Sequence, residues 1–296
     1  MSQGMQGLHS RGSEGLSAVT QSCRLPLNRV GLAVLPVKLV VEVGAMSVAA
    51  IAGGESSFEV EFVGADGRRR RGPLVEMFSA GFEDVLPVRG FRWSRSQEHF
   101  PGWWWSASSG RHVGYESWLE RDHAMVLDFD PDVVGFSSQP FCLCWHDGAR
   151  SRRHPPDYFA RRADGGGMVL DVRADERVEE KDREVFAATA RACGLVGWQF
   201  LRVGALEPVF AANLRWLARY RHPRCLREEC AQRLLEVFAQ PTALREGAAL
   251  AGDPLGTLPV LYHLLWRRDL ICDLRGEVLG SGTLVLRSEG RSRWTR

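Results

Sequence analysis

At 296 residues, with 45% apolar and 25% charged residues, the chain has an ordinary globular composition and room for one large or two modest domains. A formal net charge of +2 is too small to signal a nucleic-acid partner by itself; the apolar stretch 30–51 is broken by Lys38 and Glu42, which argues against a membrane span, and it starts too late for a signal peptide. Seven scattered cysteines, an odd number, argue against a secreted disulfide framework and for a reducing, cytoplasmic location.

Arginine supplies nearly all the positive charge, because Lys38 and Lys181 are the two lysines. The planar guanidinium suits bidentate phosphate contacts, and a G+C-rich coding bias gives the same composition. In chain order, 1–55 has little regular pattern and many Gly and Ser, and reads as an irregular or disordered extension. Met46 is expected to be the true start. Phe58, Val60 and Phe62 alternate with Glu59 and Glu61 as a strand does, Asp66-Gly67 marks a hairpin turn, and Arg68 to Arg71 follow as a solvated turn or strand edge. Phosphate contact is the alternative use of those arginines. Trp103-Trp104-Trp105 is expected to pack as a core or interface element rather than to stack on bases.

The spacing of Tyr115, Trp118, Leu119, Met125 and Val126 predicts a helix over 115–128, ended before Pro131. Apolar strands follow at 133–136, 141–145, 158–160 and 168–172, the last two joined by a turn at Asp164-Gly165-Gly166-Gly167. Cys142-Leu143-Cys144 with His146 and His154 invites a zinc reading, but alternation with Phe141 and Trp145 favours a buried strand. A helix at 176–193, with Val178, Val185, Phe186, Thr189, Ala192 and Cys193 inward, and a strand at 198–203 complete a mixed α/β layer fold. Residues 207–220 read as a helix carrying Arg215 and Arg219. Then come helices at 225–238, at 243–250 capped by Thr242, and at 258–268, and a hairpin of 270–274 with 279–286 around Arg275-Gly276. Three helices and a hairpin describe a winged helix, whose last helix usually enters the major groove. The alternatives are a small helical cap with Leu261, Leu264 and Leu265 in its core, or a protein-docking module.

Three acids stand out in this frame: Glu120 on the predicted helix, Asp157 after Pro155-Pro156 at a strand start, and Asp171 in the next strand. Residues i and i+2 of a strand share a face, so Asp171 and Arg173 are expected to point the same way. Clustered carboxylates repel one another, and hard Mg²⁺ prefers their oxygens. With one or two such ions a water can be activated for in-line attack on a phosphodiester. Glu116, four residues before Glu120, competes with it on a continuous helix. Arg173 can stabilise developing charge but cannot act as a general base. A surface ion pair of Asp171 with Arg173, and Asp157 as a mere turn former, is the non-catalytic alternative.

At these residues the chain resembles the TnsA-type endonuclease subunit of heteromeric cut-and-paste transposases, within the PD-(D/E)xK restriction-endonuclease-like superfamily. The resemblance spans about 57–285. It is carried by Glu116 to Gln139-Pro140-Phe141, including Phe129-Asp130-Pro131-Asp132-Val133, and by Pro156-Asp157-Tyr158 and Asp171-Val172-Arg173. It implies a restriction-endonuclease-like mixed sheet flanked by helices over 56–206, then a helical linker and winged-helix-like domain over 207–296. It further implies that Glu120, Asp157 and Asp171 hold Mg²⁺, with Mn²⁺ able to substitute. Counting back from Gln139-Pro140-Phe141 selects Glu120 over Glu116. Arg173 stands where the family carries lysine, and Lys181 on the next helix is the candidate for a migrated one. The partners implied are double-stranded DNA at transposon ends, an RNase H-like transposase and an ATPase regulator, the chain nicking the 5′ ends. A stand-alone restriction or repair nuclease and a non-catalytic DNA-binding assembly subunit are the competing readings.

Overall fold

The structure, a computed structural model, describes residues 58–90 and 100–289. The expectations for 1–55 and for Met46 lie outside the described residues.

Period-two alternation builds the first sheet. Strand β1 (Glu59–Val63) turns Val60 and Phe62 inward and leaves Glu59 and Glu61 on the other face. It pairs antiparallel with β2 (Arg69–Pro73) across the Asp66-Gly67 turn, where Gly67 has φ +75°. The arginine run is the expected strand edge: Arg69 pairs with Glu61, Arg70 with Asp66 and Arg71 with Glu59. Those guanidiniums are therefore matched within the chain. The helix α1 (Leu74–Met77) is a single turn after β2.

A hairpin of β3 (Gly102–Trp105) and β4 (His112–Tyr115) was not foreseen. The aromatic run alternates within it: Trp104 is buried, Trp105 stacks on His222 at 4.8 Å, and Trp103 faces out, 58% exposed. Packing thus holds for two of the three. Tyr115 belongs to β4 rather than to the helix, and its ring lies over Gly102, where a Cβ would come within 2.4 Å of the hydroxyl. The helix, α2 (Trp118–Phe129), starts three residues later than predicted because Ser117 caps it, its Oγ accepting from Glu120 N–H at 3.2 Å.

The order of the first sheet is β2-β1-β6-β7, with β6 (Cys142–His146) and β7 (Ser151–His154). A second sheet has the order β10-β9-β8-β5, formed by β5 (Val133–Ser138), β8 (Tyr158–Arg162), β9 (Gly167–Val172) and β10 (Gln199–Val203). Its pairs are antiparallel except β9 with β10, which are parallel and joined through α3 (Glu180–Leu195). Cys142 and Cys144 are buried on β6, as the strand reading expects.

The second sheet has a core on each face. Phe159 and Val169 meet the apolar face of the first sheet, with Phe82 at 5.0 Å from the Phe141 ring and 5.5 Å from the Trp198 ring. Tyr158, Ala160, Met168, Leu170, Leu201 and Val203 face α2 on the opposite side. That second core continues into the C-terminal helices α4 (Pro208–Leu217), α5 (Glu228–Val237), α6 (Leu244–Ala251) and α7 (Pro254–Arg267), and Phe129 meets Trp266 at 5.2 Å.

A small sheet of order β11-β13-β12 closes this part, with β11 (Thr242–Ala243), β12 (Leu270–Ile271) and β13 (Leu284–Arg287). Thr242 lies in β11, and Ala243 precedes α6 without a side-chain cap, which corrects the predicted Thr242 cap. The last helix starts four residues early, because Asp253 caps it by accepting from Gly256 N–H at 3.1 Å. Leu261, Leu264 and Leu265 are buried. The remaining surface of α7 carries no basic side chain besides Arg267, which pairs with Asp269. Among the described residues no helix is long and apolar enough to cross a membrane.

Candidate active site

Two of the predicted acids are brought side by side. Antiparallel pairing of β8 with β9 sets Tyr158 opposite Leu170, and one further step in that register sets Asp157 opposite Asp171. Alternation then puts both carboxylates on the face shared by Phe159 and Val169. Pro155 and Pro156 fix the approach to β8. Asp157 is further held by two bonds: its Oδ2 accepts from Val172 N–H at 2.7 Å, and its carbonyl accepts from Gln139 N–H at 2.9 Å. Asp171 is 2% exposed, and both its oxygens lie 2.9 Å from His154 Nε2.

Glu120 approaches the same end of these strands from the helix side. Tyr158 donates its hydroxyl hydrogen to the Glu120 carbonyl at 3.2 Å, tying the first turn of α2 to β8. The Glu120 carboxylate accepts from Glu116 N–H at 2.7 Å and from Ser117 Oγ at 3.0 Å, which completes the cap of α2. Glu116 precedes the helix instead of lying one turn back on it, and its carboxylate pairs with Arg89 at 2.7 Å.

The electrostatics show which acids feel one another. Burial, then the charges of Asp171 and Glu120, push the Asp157 carboxyl well above the usual carboxylate range, against the opposing bond from Val172 N–H. Glu116 acts on it more weakly than Glu120 does. Burial raises Glu120 as well, its hydrogen bonds oppose this, and the Glu116 charge adds to the rise.

The basic position departs from expectation. Arg173 shares the strand parity of Asp171, but its Nη2 lies 3.3 Å from Asp182 Oδ2 and its Nε donates to the Arg177 carbonyl at 3.2 Å. Asp182 is itself fixed at the start of α3, accepting from Glu179 N–H at 3.0 Å. Lys181 pairs with Glu179 at 2.7 Å and is exposed. The basic side chain bonded to one of the acids, Asp171, is instead His154, on a strand that Ser-Arg-Arg-His did not announce. Gln139 was also unforeseen as a site neighbour: it is buried, has φ +46°, and its Oε1 has no hydrogen-bond partner. In the sequence His154 stands out only as a zinc candidate and Gln139 only as part of a motif.

Among the described residues no group of three or more His, Cys, Asp or Glu side chains is assembled to hold a metal ion. The chemistry of the donors nevertheless fits a hard divalent cation. Asp157 and Asp171 are adjacent carboxylates in mutual repulsion, and Mg²⁺ is commonly held by one or two carboxylates with water and substrate phosphate completing its shell. No protein-family model matches the sequence, and no curated protein matches it.

Proposed function

We propose that the chain is a metal-dependent DNA endonuclease of the TnsA type, on a restriction-endonuclease-like frame, nicking the 5′ ends of a transposable element. The observation that carries this is the mutually repelling pair of partly buried Asp157 and buried Asp171, with Glu120 brought to the same strand ends by α2. Asp157 and Asp171 would hold the ion, and Glu120 stands next to them. A bound Mg²⁺, or Mn²⁺ in its place, supplies charge neutralisation and an activated water, whether one or two ions are present. Val172 N–H, His154 and the capped start of α2 hold the carboxylates in place before substrate arrives. The substrate is double-stranded DNA at the element's ends, and an RNase H-like transposase and an ATPase regulator are the expected partners, in the cytoplasm.

On this reading the segment from α5 to β13 is the winged-helix-like part, its helices and short strands in a compatible order. Burial of α7 and the scarcity of basic side chains on its surface support a docking or buttressing use over entry into a DNA groove.

The test is end nicking with Mg²⁺ and the co-encoded transposase and ATPase, comparing wild type with Asp157→Asn and Arg173→Lys. Loss of nicking in Asp157→Asn is expected, and undiminished nicking would overturn the assignment. Specific cleavage by the isolated chain would mark a stand-alone nuclease. One observation favours a second reading: Arg173 is committed to Asp182 rather than to the acids. A non-catalytic assembly subunit would leave transposition intact in both Glu120→Ala and Asp157→Ala.

A further inference from the structure

His154 ends β7, at the outer edge of the first sheet, and Asp171 lies on β9 of the second. The histidine thus bonds the two sheets together at the candidate site. Its Nε2 is equidistant, at 2.9 Å, from both Asp171 oxygens. A carboxylate offers only acceptors, so Nε2 must carry the hydrogen, shared between the two oxygens. The Asp171 side chain is 3% exposed and that of His154 is 19% exposed. Among the described residues no other donor reaches the Asp171 carboxylate. Only Pro155 and Pro156 separate His154 from Asp157, and each proline fixes its own φ, so one short stiff segment carries both a partner of Asp171 and its neighbouring acid.

We propose that His154 is a positioning residue of the metal site, orienting the Asp171 carboxylate through Nε2–H so that its remaining lone pairs face the ion beside Asp157. This rests on the reading of Asp157 and Asp171 as metal ligands. It gives the site the outer-shell hydrogen bond that ligating carboxylates normally have, and supplies it from a different strand than the one bearing Arg173. A buried carboxylate stripped of its one donor loses the contact that fixes its orientation, and a misoriented carboxylate is a poorer ligand.

The experiment is Mn²⁺ titration of the full chain without DNA, by isothermal calorimetry and Mn²⁺ electron paramagnetic resonance. Thermal unfolding monitors the fold. Wild type is compared with Asp157→Asn, His154→Leu, His154→Gln and His154→Asn. A glutamine amide can reach where Nε2 stands, and the shorter asparagine cannot. His154→Leu and His154→Asn are expected to bind about 10–100-fold more weakly, and His154→Gln within about threefold of wild type. Wild-type affinity in a folded His154→Leu or His154→Asn, with Asp157→Asn unable to bind, would overturn the role of His154 and leave the metal site standing. If His154→Leu fails to fold, the Gln–Asn comparison decides. Absence of Mn²⁺ binding by wild type would overturn the metal reading, and the proposal with it.

Discussion

If Asp157 is strained by its neighbours, removing its charge should stabilise the protein while abolishing its activity. Asp157→Asn keeps an oxygen to accept from Val172 N–H and removes the repulsion with Asp171 and Glu120. Directly opposed strand residues place their side chains about 5 Å apart, and two unit charges at that distance interact by about 3 kcal/mol at an effective dielectric of about 20. Partial exposure of Asp157 and the His154 bond to Asp171 reduce this, leaving an expected gain of about 1–2 kcal/mol, or about 2–8 °C in Tm. The sign with pH is fixed. The folded carboxyl is raised above its unfolded value, so the cost is absent below the unfolded carboxylate value of about 4, grows as pH rises above it and is complete only above the folded pKa. The gain from Asn should therefore vanish toward pH 4 and grow as pH rises from there to 8 in EDTA. Urea denaturation of both proteins across that range measures it. A destabilised Asp157→Asn at pH 8, or a gain independent of pH, would refute the repulsion argument.

Three further outcomes follow from packing and burial. Asp128→Ala deprives four donors of their acceptor, namely Trp104 Nε1, Ser106 Oγ and the N–H groups of Ala107 and Ser108, and should cost about 3–5 kcal/mol by urea denaturation. Burial holds His123 and His263 below the ordinary histidine range, their bonds to the Gly204 and Tyr220 carbonyls opposing it. The stability they allow is full above about pH 6.5 and should fall as pH drops from there toward 5, with a shallower fall in His123→Gln. Gly247→Ala should cost a net of about 1–2 kcal/mol, since its Cβ would come within 2.2 Å of the Phe238 ring and overpacking outweighs the helix propensity gained; a rise in the urea midpoint would contradict this.

What the sequence revealed divides along physical lines. Alternation at Phe58–Phe62 and the Gly-rich turn after β8 were enough to place β1 and the β8–β9 pair, and with them the adjacency of Asp157 and Asp171. Strand β7 escaped because Ser-Arg-Arg-His at a sheet edge buries no alternating apolar set. The sequence therefore shows His154 but not that it is the partner of Asp171. The i, i+2 rule placed Arg173 on the correct parity but could not say where a long side chain ends. Arg173 lies just past β9, and the fixed carboxylate of Asp182 draws its guanidinium away. Glu116 was misplaced for a similar reason: periodicity extended the helix through Tyr115, whereas the Ser117 cap decides where it starts.

Helix α2 explains why the C-terminal helices matter to the site. Every residue from Asp122 to Phe129 is buried, so the helix is enclosed on all sides rather than amphipathic. Enclosure is tolerable because its polar groups are individually matched. Asp122 pairs with Arg215 of α4, His123 Nε2 meets the Gly204 carbonyl at 2.7 Å, and Asp128 takes its donors from β3 and the turn after it. At its far end Phe129 packs on Trp266 of α7. The first turn of α2, which carries Glu120, is thus set by contacts from the sheet on one side and from α4 and α7 on the other. Severing the chain near 206 would uncover Asp122 and Phe129 together, removing the Arg215 partner of Asp122 and leaving a large apolar surface in water. The C-terminal helices are in this sense part of what holds Glu120 beside Asp157.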